Sequence, residues 1–257
     1  MPTCGNDFQL SSPRQRPCRL CRKKSELQKS HILPASAHRH TKIKGRNVLI
    51  GNTARIFKIE NQTDFSEYLL CFDCEQVLSK FEGRAMKACH TAWMHREEPS
   101  YQIPSDSVRD LIAFAYSVFW RSSVATTIEG YRLNEPFELE LARAFHEGHF
   151  PAPPRMAISM SFLKVLDIEM TGNLIMTPMA ATILARTEAH YFSVLGMIFR
   201  MSVPNALYEL EANEFLRYHE QSGCVYPLQL WEQKLINGEL IRSAVIAKTE
   251  GAEPIDA

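Results

Sequence analysis

Two pairs of cysteines carry the clearest chemical signal in this sequence. Cys18 and Cys21 form one Cys-x2-Cys pair, and Cys71 and Cys74 form another. Zn²⁺ binds four thiolate or imidazole ligands in a tetrahedron, and each pair can supply two of them. We therefore predict a structural zinc site formed by all four thiols, with buried reduced cysteines or a redox pair as the alternatives. The other three are predicted to be ordinary thiols: Cys4, Cys89 and Cys224.

Positive charge is concentrated around the first cysteine pair. Residues 1–50 contain 11 Lys or Arg and two acids, although the net charge of the whole chain is zero. A segment this basic favours a polyanionic partner, because phosphate contacts release counterions. The alternative is a basic surface that docks on the acidic remainder of the same protein. The candidate nucleic-acid-binding residues are Arg14, Arg16, Arg22, Lys23, Lys24, Lys29, Arg39, Lys42, Lys44 and Arg46.

The segment between the cysteine pairs has a family resemblance. A Cys-x2-Cys pair, a His-Ile-Leu-Pro segment at residues 31–34 and a Leu-Leu-Cys-x2-Cys segment follow one another. This order resembles the HNH endonuclease superfamily in its zinc-bearing, treble-clef form, over about residues 17–90. The resemblance implies that His31 is a general base that activates water against a phosphodiester. It also implies a catalytic divalent ion, such as Mg²⁺, Mn²⁺ or Ni²⁺, beside it.

Three other positions of the family pattern carry different residues here. Ser30 stands where the family has a metal-binding Asp or His, and Glu75 stands where it has a metal-binding His. Ser66 lies near the place of an orienting Asn. A carboxylate at Glu75 suits Mg²⁺ or Mn²⁺, so Glu75 is the second candidate catalytic residue.

Histidines between the cysteine pairs also have non-catalytic interpretations. His31 could be a core residue, an alternate zinc ligand or a phosphate contact. His38 and His40 could bind a metal ion or contact phosphate, but they lie among Lys and Arg, which favours a solvated basic loop. Arg121, at the end of an apolar run, is interpreted as a surface charge or a phosphate contact.

The elements that must position these residues predict an α+β fold. A small treble-clef zinc module precedes a larger α+β domain. The module is built from a knuckle, which is the turn that carries Cys18 and Cys21, a β-hairpin and a helix. The predicted divisions are a basic lead-in (1–16), the zinc module (17–96), a linker (97–107), the second domain (108–250) and a frayed tail (251–257). Predicted elements are a hairpin over 47–60, a helix after Cys71, helices over 108–121, 137–147, 206–219 and 228–248, and strands over 157–166, 174–177 and 191–200.

Two functions are consistent with these patterns. The first is a zinc-stabilised, HNH-like protein that binds nucleic acid, expected to be DNA, and cleaves it as a metal-dependent endonuclease. The second is a non-catalytic zinc module that binds nucleic acid or a protein partner. The sequence has no apolar run long enough to predict a membrane span, and a cytoplasmic location is expected. Residues 108–250 carry no recognised motif; they could set target choice, bind a protein partner or hold a homo-oligomer together.

Overall fold

The fold is described from a computed structural model. The described residues are 14–40, 42–43, 46–50, 65–96, 103–128, 130–148, 157–162, 174–183 and 187–204. The helices predicted over 206–219 and 228–248 lie outside this part of the chain.

The described residues contain helices and strands in a mixed order, which confirms the predicted α+β class. The helices are α1 (Ala35–His40), α2 (Phe72–Met94), α3 (Ser105–Val124) and α4 (Glu135–Glu147). The strands are β1 (Gln15–Pro17), β2 (Lys24–His31), β3 (Lys42–Ile43), β4 (Arg46–Ile50), β5 (Ser66–Cys71), β6 (Ala157–Phe162), β7 (Leu174–Ile183), β8 (Thr187–Val194) and β9 (Met197–Pro204).

A small antiparallel sheet holds the segments that carry the cysteine pairs. Its strand order is β1–β2–β5, and the first pair lies in the turn between β1 and β2. In β5, Leu70 pairs with Gln28 and Tyr68 pairs with Lys29, so Leu69 is an extra, bulged residue. The carbonyl of Leu69 accepts a hydrogen bond from the Arg19 N–H at 2.9 Å. The bulge thereby ties the turn to β5.

A larger sheet has the order β3–β4–β7–β8–β9–β6, in which only the β4–β7 pair is parallel. Strand β4 covers the first part of the hairpin predicted over 47–60, and residues 51–60 lie outside the described part of the chain. β7 continues past the predicted end at 177, because Pro178 falls where the pairing with β8 shifts register between Met176 and Met179. A proline is tolerated at such an irregularity, since it has no N–H to donate.

The helices predicted after Cys71 and over 108–121 and 137–147 are confirmed as α2, α3 and α4. Helix α2 buries residues at three- and four-residue intervals, including Cys74, Leu78, Phe81 and Ala85, against the small sheet and α3. Helix α3 is buried on all sides between residues 111 and 123. Ser105 and Asp106, whose side chains are of the types that usually occupy an N-cap, lie inside its first turn instead. The N-cap is Pro104, whose carbonyl accepts from the Ser107 and Val108 N–H groups.

The single strand predicted over 191–200 is wrong. The segment is the hairpin between β8 and β9, which closes at the Val194–Met197 pair with Leu195 and Gly196 as its two-residue loop. Their φ angles are 52° and 71°. Two central residues with positive φ make the turn whose twist matches adjoining strands. Leucine is rarely found there, so the sequence signals the turn only through Gly196.

Gly196 makes the first testable prediction. A Cβ at residue 196 would overlap the ring of Trp93 from α2. We expect Gly196→Ala to lower the free energy of unfolding by roughly 2–4 kcal/mol, because it adds left-handed backbone strain to overpacking. Gly148→Ala is the matched control, since Gly148 has φ 69° and open space around a built Cβ. It should cost only about 1 kcal/mol in urea denaturation. Equal losses would contradict the contact with Trp93.

One buried cluster includes side chains from both predicted domains. Ile32 and Leu78 belong to it, and so do Phe114 of α3 and Phe192 of β8. The ring of Phe114 packs edge-on against those of Phe192 and Phe199, at centroid distances of 5.8 and 5.7 Å. The predicted domain boundaries stay predictions, but the described cysteine-bearing segment does not pack alone. Helix α3 is the layer between it and the larger sheet.

His190 of β8 gives a pH-dependent prediction. It is buried against the rings of Phe119 and Tyr131, and burial lowers its pKa from 6.5 to about 4. Above pH 6.5 the imidazole is neutral in both states and has no effect. Between pH 6.5 and 4 the unfolded chain takes up a proton that the folded chain does not, so stability falls as pH falls. The loss is complete below about pH 4 and amounts to roughly 3 kcal/mol.

The His190 contribution can be measured by urea denaturation between pH 7 and 4. Carboxylates also titrate in this range, so the wild type is compared with His190→Gln at each pH. The variant should lose less stability on acidification, because its side chain takes up no proton. The same pH slope in both proteins would show that His190 contributes nothing.

Candidate metal centre

The turn between β1 and β2 presents the first two thiols. The Cys18 N–H donates to the Lys23 carbonyl, and the Arg22 N–H donates to the Cys18 carbonyl, both at 2.9 Å. Arg22 adopts φ 62°, a left-handed conformation that costs a non-glycine residue about 1 kcal/mol or more. This tight turn brings the side chains of Cys18 and Cys21 to one place.

The second pair lies where β5 becomes α2. Cys71 is the last residue of β5 and the N-cap of α2, and Cys74 lies in the first turn of the helix. The Cys71 N–H donates to Sγ of Cys18 at 3.3 Å. This hydrogen bond joins the start of α2 to the knuckle, so it fixes the two cysteine pairs relative to each other.

All four sulfur atoms lie within 4.8 Å of one another, which confirms the predicted convergence of the two pairs. Sγ of Cys21 and Sγ of Cys71 are 3.8 Å apart. A tetrahedral Zn²⁺ with bonds of about 2.3 Å requires sulfur–sulfur separations of about 3.8 Å. The cluster can therefore hold a metal ion, and its donor set suits zinc.

The pKa values of the thiols depend on burial and on the neighbouring cysteines. Burial raises the pKa of Cys18 and that of Cys74, and the neighbouring thiols raise the latter further. At Cys71 burial acts in the same direction, but hydrogen bonds from the Cys74 backbone and the neighbouring thiols outweigh it and lower the pKa. Crowding of this kind opposes the loss of further protons. A divalent cation would reverse that effect.

Among the single cysteines, only Cys89 lies in the described part of the chain. It is buried in α2 outside the cluster, and burial raises its pKa. This environment is that of an ordinary buried thiol.

Ser30, His31 and Glu75 lie on neighbouring elements. Ser30 of β2 is buried and donates a hydrogen bond of 2.7 Å from its hydroxyl to Oε2 of Glu75 in α2. His31 is half-buried, and in the β2–β5 ladder it pairs with Ser66. Because alternate residues of a strand point to opposite faces, His31 points away from the face on which Ser30 meets Glu75.

Arg121 is a central residue of this region that sequence reasoning misplaced. Only 1% of it is exposed, so the prediction of a surface charge is wrong. Its Nη1 donates to Oε1 of Glu82 at 2.5 Å and to the His31 carbonyl at 3.1 Å. Its Nη2 lies 3.6 Å from Oε1 of Glu75, which is an ion pair rather than a hydrogen bond. The signal that could have found it is an arginine that directly continues the apolar run of α3.

The guanidinium joins three elements. It faces two carboxylates of α2, whose combined charge it offsets by half, and it fixes the end of β2 through the His31 carbonyl. The guanidinium itself is carried by α3. One oxygen of Glu75 thus accepts from Ser30 and the other faces a cation. Both oxygens of Glu75 therefore already face a polar or charged group of the protein.

The nucleic-acid-binding residues predicted between residues 14 and 29 are exposed. The exposed cations in this range are Arg14, Arg16, Arg19, Arg22, Lys23, Lys24 and Lys29. Arg39 of α1 is also exposed, whereas the side chains of Lys42, Lys44 and Arg46 lie outside the described part of the structure. The solvated position predicted for His38 is wrong: α1 begins after Pro34 and packs on α2, so His38 is only 3% exposed. The side chain of His40 lies outside the described part of the structure.

Comparison with protein-family models, with curated proteins and with solved structures finds no match to this chain. The resemblance to HNH endonucleases therefore depends on the quoted residues alone. Within the described residues, none of the helices combines the length and the apolar character that a membrane crossing requires.

Proposed function

We propose that this chain is a zinc-stabilised protein that binds nucleic acid through its phosphate backbone. The observation that carries the proposal is the placement of exposed cations on the tight turn that also presents two thiols. Arg19, Arg22 and Lys23 lie within or directly beside the Cys18–Cys21 pair and are exposed. A metal ion that holds the thiols would hold these cations in fixed positions, which lowers the entropy lost on binding.

The charge of this surface favours a polyanion. Seven exposed Lys or Arg lie between residues 14 and 29, and Glu26 is the exposed acid among the same residues. Lys and Arg contacts to phosphates supply most of the affinity in nonspecific binding and read little sequence. Affinity should therefore fall steeply with salt and vary little with base sequence.

The state of Glu75 supports binding without hydrolysis. A catalytic Mg²⁺ or Mn²⁺ at this position would have to compete with the guanidinium of Arg121 and the hydroxyl of Ser30, both of which already engage the carboxylate. Cleavage with His31 as general base is the second candidate function. The half-buried imidazole of His31, on the same face of β2 as the exposed Lys29, is the observation that favours it.

Binding is tested with a charge-reversed knuckle. The triple variant Arg19→Glu, Arg22→Glu, Lys23→Glu is compared with Lys80→Glu, Lys87→Glu, Arg143→Glu, which reverses three exposed cations on α2 and α4. Fluorescence anisotropy with a labelled oligonucleotide is measured over a range of salt concentrations. Only the knuckle variant should lose affinity, and the slope of log K against log salt should become shallower by about 2–3. Equal losses of affinity in the two variants would show that only the net charge of the protein matters, and would contradict a binding surface at the knuckle.

Cleavage is tested separately. Plasmid, single-stranded DNA and RNA are incubated with the protein and with Mg²⁺, Mn²⁺ or Ni²⁺. Binding without cleavage in any metal supports the proposal. Cleavage that His31→Ala abolishes would replace it with the endonuclease function.

A further inference from the structure

The face of the small sheet that carries His31 has an unusual combination of side chains. In the β2–β5 ladder Lys29 pairs with Tyr68 and His31 pairs with Ser66. Residues two apart on a strand share a face, and directly paired residues do too, so these four side chains lie together. Lys29 is exposed and the other three are half-buried.

Arg14 extends this surface. Its guanidinium lies over the Tyr68 ring, 5.3 Å from the ring centroid, and its Nε donates to the Tyr68 hydroxyl at 3.2 Å. A planar guanidinium on an aromatic ring is a flat, charged surface that both stacks and binds phosphate. Arg14 is exposed, so the pair lies at the protein surface.

The acids of the two paired strands, Glu26 and Glu67, lie on the opposite face, and for Glu26 this follows from its odd spacing to Lys29. Glu67 pairs with Ser30 on the opposite face, where its Oε2 accepts hydrogen bonds from the N–H groups of Thr126 and Thr127 at 2.6 and 3.2 Å. The face that carries Lys29 and Tyr68 therefore combines cations, an aromatic ring, an imidazole and a hydroxyl. Surfaces that bind single strands combine the same two components, cations for the backbone and rings for stacking unpaired bases.

We infer that this face, formed by Arg14, Lys29, His31, Ser66 and Tyr68, binds unpaired nucleotides. The inference rests on the proposed nucleic-acid binding and adds its substrate class. Phosphates would contact Arg14 and Lys29, and a base would stack on the surface that Tyr68 supports. Bases in a duplex are already stacked on one another and cannot use the ring, so the surface prefers a single strand.

The test compares one sequence in two forms. A labelled single strand of about 12 nucleotides, within the usual site sizes, and a hairpin duplex of the same sequence are titrated with the full chain. Tyr68→Leu should weaken single-strand binding by about tenfold and duplex binding much less. Tyr68→Phe keeps the ring and should restore single-strand binding. Phe72→Leu is the matched control, because Phe72 is a 61% exposed aromatic at the start of α2, outside this face.

The outcomes separate this inference from the proposed function. Equal losses for both forms in Tyr68→Leu, or no loss, would overturn the single-strand surface and leave phosphate binding intact. The absence of binding to either form by the wild type would overturn the proposed function itself. Competition by polyglutamate as effective as that by the oligonucleotide would show a surface selected by charge alone and overturn both.

A measurement on the wild type guards against a variant that fails to fold. An oligonucleotide that carries 5-iodouracil is photo-crosslinked to the unmodified chain, and the linked residue is identified by mass spectrometry. A crosslink at Tyr68 or His31 supports the inference. A crosslink confined to Phe72 would overturn it.

Discussion

Cys74→Ala is expected to abolish zinc binding at the four-thiol cluster and to unfold the small sheet. Cys74 is 6% exposed and is one of four sulfur atoms within 4.8 Å. Structural zinc contributes about 10–16 kcal/mol in isolated zinc-finger peptides, far more than one buried side chain usually supplies. The knuckle, β2 and the start of α2 meet at this cluster, so loss of the ion removes the link between them. Zinc content by atomic emission and far-UV circular dichroism measure both effects.

The matched control is Cys89→Ala. Cys89 is also a buried cysteine of α2, but it lies outside the cluster. Its truncation removes one sulfur atom from the core and should cost about 1 kcal/mol, with zinc content unchanged. A chelator should lower the melting temperature of the wild type and of Cys89→Ala but not that of Cys74→Ala. If the wild type contains no zinc when purified, or if both variants retain it equally, the metal centre is wrong.

Arg121→Met is expected to lower the free energy of unfolding by about 3–5 kcal/mol. Removal of the guanidinium leaves Glu82 and Glu75 without their cation, and their side chains are only 13% and 24% exposed. Removal of one partner from a buried ion pair lowers stability by more than the intact pair contributed, because the remaining charge is left uncompensated. The His31 carbonyl also loses a hydrogen-bond donor. Urea denaturation measures the loss.

Arg84 supplies the control for this prediction. It also joins α2 to α3, through two hydrogen bonds of 2.6 and 2.7 Å to Asp110, but its side chain is 63% exposed. Arg84→Met should cost much less stability than Arg121→Met, since water screens an exposed pair. Combination of Arg121→Met with Glu75→Gln and Glu82→Gln should recover much of the lost stability. A loss as small as that in Arg84→Met, or no recovery, would contradict the buried network.

The Arg121 variants also bear on function. If the guanidinium excludes a divalent ion from Glu75, Arg121→Ala should gain affinity for Mn²⁺, which isothermal titration can detect in a protein whose fold is retained. The wild type should show no such binding at this position. Mn²⁺ binding by the wild type that Glu75→Gln abolishes would favour the endonuclease function.

Local patterns predicted the elements that depend on local rules. The two cysteines of a Cys-x2-Cys pair are close enough in sequence to lie on one turn. Because a tetrahedral zinc ion takes four ligands, the sequence indicates that the two pairs converge. Helices α2 and α3 follow from apolar spacing, since a helical period shows which side chains can face a core. The turn at Leu195 and Gly196 was missed because leucine does not signal positive φ. The bulge at Leu69, whose carbonyl accepts from the Arg19 N–H, has no sequence signature.

The sequence by itself determined the α+β class, the two thiol pairs and the excess of positive charge that surrounds the first pair. Only the tertiary structure decided that Arg121 is buried and paired, because Glu82 and the His31 carbonyl are 39 and 90 residues away from it along the chain. It also decided that Tyr68 and Lys29 share a face, since that depends on strand register. Backbone turns and periodicity act over a few residues, whereas the environment of a charge depends on every element that packs around it.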